Sequence, residues 1–139
     1  MNGHLRFPRR SRLLSAAFSL VLVAGLATGC GDTEPSGPDI EGKWVGTYGN
    51  GTADDTFDFT LFINDNGSLG VIDGLGDTPD GTGTWELTGN VVTGTYTYDG
   101  GGSTYSLSGT VSGNDDHLEG TWGNGAETSG GGLFVVDKE

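Results

Sequence analysis

The sequence predicts an all-β fold, a small antiparallel up-and-down β-barrel of about eight strands preceded by a signal peptide, and three observations lead there. From Ile40 onward, apolar residues alternate with Thr, Ser, Gly or acids at period two, and no stretch sustains a helical period of about 3.6. Clusters of Gly, Asn and Asp interrupt that alternation at short intervals, where hairpin turns need them. A Gly-Thr pair followed by an aromatic residue or Val recurs at Gly46, Gly83, Gly94, Gly109 and Gly120, and the last four are spaced 11, 15 and 11 residues apart. That irregular step suits neighbouring antiparallel strands with varied loops better than a solenoid.

In chain order, Trp44, Gly46 and Tyr48 share one face of the first strand, and Phe57, Phe59, Leu61 and Ile63 share one face of the second, with Asp58 and Thr60 opposite. Leu69 and Val71 mark the third. Gly83, Trp85 and Leu87 alternate with Thr84, Glu86 and Thr88 in the fourth, and Val92, Gly94, Tyr96 and Tyr98 alternate with Thr93, Thr95 and Thr97 in the fifth. Tyr105, Leu107, Gly109 and Val111 form the sixth set, Leu118, Gly120 and Trp122 the seventh, and Leu133 to Val136 the eighth. Turns are expected at Asn64-Asp65-Asn66-Gly67, Gly89-Asn90, Asp99-Gly100-Gly101-Gly102, Gly113-Asn114-Asp115-Asp116 and Gly123-Asn124-Gly125.

Eight short strands with one bulky face and one Thr-rich face avoid exposed edges by closing into a barrel, and a two-sheet sandwich is the second choice. Glycines at inward positions 46, 83, 94, 109 and 120 favour the barrel, because they let strands bend and make room for neighbouring rings. The Thr-rich face suits a solvated β surface.

Before the barrel, residues 1–29 read as a signal peptide: a basic start to Arg12, then an uncharged run of Leu, Val, Ala and Phe from Leu13 to Gly29. The run is shorter than the ~20 residues of a membrane span and ends in Ala27-Thr28-Gly29-Cys30. That ending resembles the lipobox of bacterial lipoproteins, with Leu26 one place upstream of the usual Leu. The resemblance implies that Cys30 carries lipid and begins the mature chain. Residues 30–39 then form a lipidated Cys and a flexible tether, polar and with two prolines, and residues 40–139 the β-barrel domain. The expected location is a bacterial cell envelope, lipid-anchored and extracytoplasmic. Cys30 is the chain's one cysteine, so no internal disulfide is available.

After Cys30 the chain holds two lysines, Lys43 and Lys138, against all nineteen acids, a formal −17. Such a charge opposes nucleic acid and anionic headgroups, both polyanions, and steers a basic protein partner if a protein is bound. The expected partners are therefore the membrane through lipid on Cys30, a small hydrophobic ligand, or a basic protein, and no nucleic acid.

Gly42-Lys43-Trp44 matches the Gly-x-Trp signature that lipocalins carry at the start of their barrel, and the meander after it spans the rest of the domain. The chain thus resembles a lipocalin-like, more broadly calycin-type, bacterial lipoprotein. It departs from that pattern in having no Arg after Arg12 to pack across the Trp and no evident C-terminal helix, and it is shorter than a typical lipocalin. The Gly-Thr-Trp and Gly-Thr-Tyr vocabulary also occurs in avidin-like barrels, without their polar biotin-binding set. The resemblance bears on fold more than on function.

The inward set contains Trp44, Tyr48, Trp85, Tyr96, Tyr98, Tyr105 and Trp122, the candidate lining for a small hydrophobic or aromatic ligand. Against that stands a barrel so narrow that these rings fill it and leave no cavity. Acids gather at Asp54-Asp55-Asp58, at Asp73-Asp77-Asp80 and at Asp115-Asp116, but none has calcium-loop spacing, and no metal or cofactor is expected. His117, the one His after Cys30, follows a hairpin with Asp115 and Asp116, where a turn residue is commoner than a general base. No zinc-type ligand cluster and no nucleophile–base pair is present, so the expectation is a binding module, not an enzyme. The alternative is a structural or protein-interacting envelope lipoprotein, inhibitor-like, with a filled core.

Overall fold

The computed structural model describes residues 37–51 and 56–139. Residues 1–29, Cys30, most of the tether and the acids Asp54 and Asp55 lie outside the described residues. The strands are β1 (Gly42–Tyr48), β2 (Phe57–Ile63), β3 (Ser68–Ile72), β4 (Gly81–Thr88), β5 (Val91–Tyr98), β6 (Thr104–Ser112), β7 (His117–Asn124) and β8 (Gly132–Lys138). Each pairs antiparallel with its sequence neighbour, and β8 returns to β1 with Val45 opposite Asp137, so the sheet closes as a barrel. The fold class expected from period-two alternation is the one observed, and the sandwich is excluded.

Closure places alternate residues inside. Trp44, Leu61, Leu69, Val71, Leu107, Leu118, Phe134 and Val136 are all buried and form one continuous core. Because β1 starts where β2 ends, the barrel has two distinct ends, here called lower and upper. The lower end carries the hairpins β2–β3, β4–β5 and β6–β7, and the upper end carries the longer loops after β1, β3, β5 and β7. The chain enters across the lower end, where Ile40 is 2% exposed and its carbonyl accepts the Trp44 indole N–H at 2.8 Å. Trp44 therefore has a hydrogen-bond partner without leaving the core, which its ring requires when fully buried. Lys138, paired with Trp44 across β1 and β8, donates to the Asp39 carbonyl at 2.8 Å.

Inward glycines are places where strands curve. A Cβ on Gly83 would lie 1.8 Å from the Thr95 carbonyl oxygen of β5, far inside van der Waals contact. Only hydrogen fits there, so the two backbones fold over one another and a narrow barrel can close.

The outer face departs from expectation in two places. Thr60 and Ser106 are polar, outward in register and nonetheless buried. The β3–β4 loop, residues 73–80, folds back over β2 and β3: the Thr60 hydroxyl donates to the Gly74 carbonyl at 2.9 Å, and a Cβ on Gly70 would touch Pro79. The β7–β8 loop covers β6 and β7 in the same way, with Ser106 Oγ donating to Gly125 O at 2.7 Å and Thr121 Oγ1 to Thr128 O at 2.7 Å. These hydroxyls are satisfied by loop carbonyls instead of water, so part of the Thr-rich wall is an interior surface. The turn expected at Gly123-Asn124-Gly125 begins only at Gly125, because Gly123 and Asn124 still pair with Ser106 and Tyr105 of β6.

Candidate functional site: an aromatic cup at the upper end

Alternation on β5 points Tyr96 and Tyr98 to the same side, and the β5–β6 register sets Tyr105 opposite Tyr96. Three phenol rings are thereby brought together. Their centroids are 5.6 Å (Tyr96 to Tyr98), 5.9 Å (Tyr96 to Tyr105) and 5.8 Å (Tyr98 to Tyr105) apart. Trp122 of β7 meets Tyr105 edge-to-face at 5.7 Å, and Tyr48 of β1 meets Trp122 edge-to-face at 5.8 Å.

The last contact bridges β8, and a missing side chain allows it. Trp122 pairs with Gly132, where a Cβ would sit 1.7 Å from the Gly49 carbonyl oxygen and 2.9 Å from Trp122 Nε1. With hydrogen there, the indole reaches past β8 and donates to Gly49 O at 3.0 Å. This fixes the ring's direction as well as its depth.

Together these rings surround a cavity of about 160 Å³, also lined by Asn50, Phe59 and Asp73. Phe59 and Tyr96 are its most buried walls, at 4% and 5% exposure, and form the floor above the packed core. The barrel is thus filled below and hollow above. Asp73 contributes a carboxylate to the lining. It follows β3 directly, it is exposed at the rim, and its Oδ1 accepts the Tyr48 hydroxyl at 2.8 Å.

Burial raises the ionisation range of these phenols. Tyr96 is pushed well above the ordinary value of 10, first by desolvation and then by the neighbouring Tyr98. Tyr48 is raised by desolvation and by its bond to Asp73, and Tyr98 is pushed up to about 12 by desolvation and by the negative charge of Asp73. All three are neutral at neutral pH.

Of the seven rings expected to line the barrel, Tyr48, Tyr96, Tyr98, Tyr105 and Trp122 line the cup. Trp44 and Trp85 point inward but lie toward the lower end, where Trp85 Nε1 donates to Asn64 O at 2.9 Å. Alternation assigns a side of the sheet and not a height along the barrel axis, which is why these two could not be set apart in advance. Phe59 stood in the inward set of β2, Asp73 in an acidic loop, and Asn50 gave no signal.

His117 opens β7 on the outside of the barrel. Its Nδ1 lies 2.6 Å from Asp137 Oδ1 and its Nε2 3.7 Å from Glu119, and the bond to Asp137 raises its ionisation above 6.5. It is remote from the cup. Among the described residues no three His, Cys, Asp or Glu side chains come together as a metal site.

Comparison of the chain with family models, with curated proteins and with solved structures finds no match.

Proposed function

We propose that this chain is a lipid-anchored, extracytoplasmic binding module of lipocalin-like build that holds one small ligand in its aromatic cup and performs no catalysis. The observation that carries the reading is the cavity of about 160 Å³ ringed by four tyrosines, Trp122 and Phe59 at one end of an otherwise filled barrel. Rings needed only as core would pack against one another without such a space.

The size limits the ligand. Drug-sized pockets run to ~300 Å³ and more, whereas an engineered apolar cavity of ~150 Å³ holds a single benzene. One ring or one compact headgroup fits, and an acyl chain does not. Catalysis is disfavoured because, among the described residues, Asp73 has no second carboxylate beside it in the lining, and glycoside hydrolysis needs a pair.

Lipid attachment at Cys30 and a location in the bacterial envelope rest on the N-terminal sequence. Residues 37–41 enter at the lower end, and the cup lies at the opposite end of the barrel.

The test is the intrinsic fluorescence of Trp122, read as the difference between the full chain and a Trp122→Phe variant, against a panel of small lipids, pigments and single-ring compounds. A saturable change that disappears with Trp122 supports the cup. If no compound alters either emission or thermal midpoint, the binding reading is lost.

A second reading, a protein-contacting envelope lipoprotein, is favoured by charge. Both lysines of the barrel are engaged, Lys43 with Asp77 and Glu139 and Lys138 with Asp39, so the net field is strongly negative. Salt-sensitive retention of a cationic protein such as lysozyme, unaffected by cup variants, supports it; no retention at low salt removes that partner class.

A further inference from the structure

We infer that the ligand of the cup is an organic cation, an alkylated ammonium or a protonated amine, whose charged head is held among the faces of Tyr48, Tyr98, Tyr105 and Trp122 and opposite Asp73. This rests on the cup being a binding site and adds the chemical class of what enters it.

The ring geometry is the first ground. A cation is attracted to the face of an indole or phenol within ~6 Å of its centroid, and quaternary ammonium groups are recognised by cages of several such rings. Here Tyr105 and Trp122 meet at 5.7 Å and 71°, Trp122 and Tyr48 at 5.8 Å and 83°, and Tyr98 and Tyr105 at 5.8 Å and 75°. Rings set nearly at right angles to their neighbours share no single stacking plane, which suits a roughly spherical ammonium head better than a flat ring.

Charge is the second. Asp73 brings a carboxylate to the lining of the cup, where it is the one charged group among the described residues. Around the mouth, the Asp80 carbonyl accepts the Asp99 amide at 2.8 Å, which joins the β3–β4 and β5–β6 loops next to Tyr98. Both Asp73 and Asp80 raise the Tyr98 ionisation, a sign that their charges are felt inside. Among the described residues the only lysines are Lys43 and Lys138, near the start of β1 and the end of β8, at the opposite end. A carboxylate or phosphate ligand would meet repulsion with no cation to offset it; a cation is drawn in.

Size agrees. About 160 Å³ accommodates a trimethylammonium group with a short stem, and leaves no room for a long chain.

The decisive experiment compares two probes of nearly equal shape on the unmodified full chain: choline and its uncharged carbon isostere, 3,3-dimethylbutan-1-ol. Binding is followed by Trp fluorescence and titration calorimetry. The expected result is that choline binds at least about tenfold more tightly. Asp73→Asn should then reduce that preference by about fivefold or more while leaving the isostere unchanged, with circular dichroism reporting that the variant is folded. Equal binding of the two probes, or binding of neutral ring compounds alone, overturns the cation inference and leaves the cup as a binding site. A failure of every compound, charged or neutral, to bind or to shift the thermal midpoint removes both. Because the first comparison needs no variant, a folding defect in Asp73→Asn cannot obscure it.

Discussion

The Tyr48 hydroxyl donates to Asp73 Oδ1 at 2.8 Å, tying the last residue of β1 to the first residue beyond β3 across the mouth of the barrel. β1 and β3 are not neighbours, since β2 lies between them, so the bond spans a strand and sets where the Asp73 carboxylate of the cup resides.

Tyr48→Phe keeps the ring and its contacts with Phe57, Phe59 and Trp122 but deletes that bond. Because Asp73 is exposed and Tyr48 only half-buried, the loss of stability should be about 1 kcal/mol by urea unfolding. Hydrogen exchange in residues 73–80 should quicken all the same. Unchanged exchange would mean that Thr60 and the packing of Pro79 hold this loop without help.

Gly83→Ala should be among the most damaging small substitutions in the domain. Its Cβ would fall 1.8 Å from the Thr95 carbonyl oxygen, a clash with backbone that no rotamer can relieve, at a cost of about 3 kcal/mol or more. Gly89→Ala has nothing within 4 Å and only its positive φ of 64° to overcome, at about 1 kcal/mol. Denaturant midpoints in the reverse order would falsify the assignment of Gly83 to a point of strand closure.

Alkaline titration should separate folded from unfolded protein. Tyr48, Tyr96 and Tyr98 are all raised above 10, Tyr98 to about 12, so their phenolate absorbance should be missing near pH 10 and appear only at higher pH or on unfolding. For an acid with a raised folded value, the folded state holds the proton longer. The associated stability is complete below pH 10 and is lost as pH climbs through the folded values. Full ionisation of Tyr48, Tyr96 and Tyr98 near pH 10 in folded protein would contradict the buried cup.

His117 should titrate above 6.5 by NMR because its ring donates to Asp137, and Asp137→Asn should bring it back toward 6.5. Protonation is favoured in the folded state, so this small contribution is whole below pH 6.5 and fades as pH rises through the folded value. Thermal midpoints should follow that direction in the parent, and the dependence should weaken in Asp137→Asn, where Glu119 still faces the ring. An unchanged histidine titration in the variant would locate the cause elsewhere.

Several features were legible in the chain alone. The inward positions of Trp44, Phe59, Leu61, Tyr96, Leu107 and Trp122 follow from period two, because a strand sends successive side chains to opposite faces whatever its neighbours are. Thr60 and Ser106 belonged to the same pattern and were expected in water. Loop carbonyls from Gly74 and Gly125 cover them, and no local signal announces where a Gly-rich loop will lie down.

What the sequence determined by itself was local: eight alternating runs, the turns between most of them, an acidic surface and an aromatic interior, since each depends on residues within a few positions of one another. What only the tertiary structure decided was height and closure. Register across eight strands put Tyr48, Tyr96, Tyr98, Tyr105 and Trp122 at one end, sent Trp44 and Trp85 toward the other, and set Asp73 at the rim. Those placements depend on hydrogen-bond ladders between residues as distant as Val45 and Asp137, and on which glycines let the sheet bend, which no short window of sequence contains.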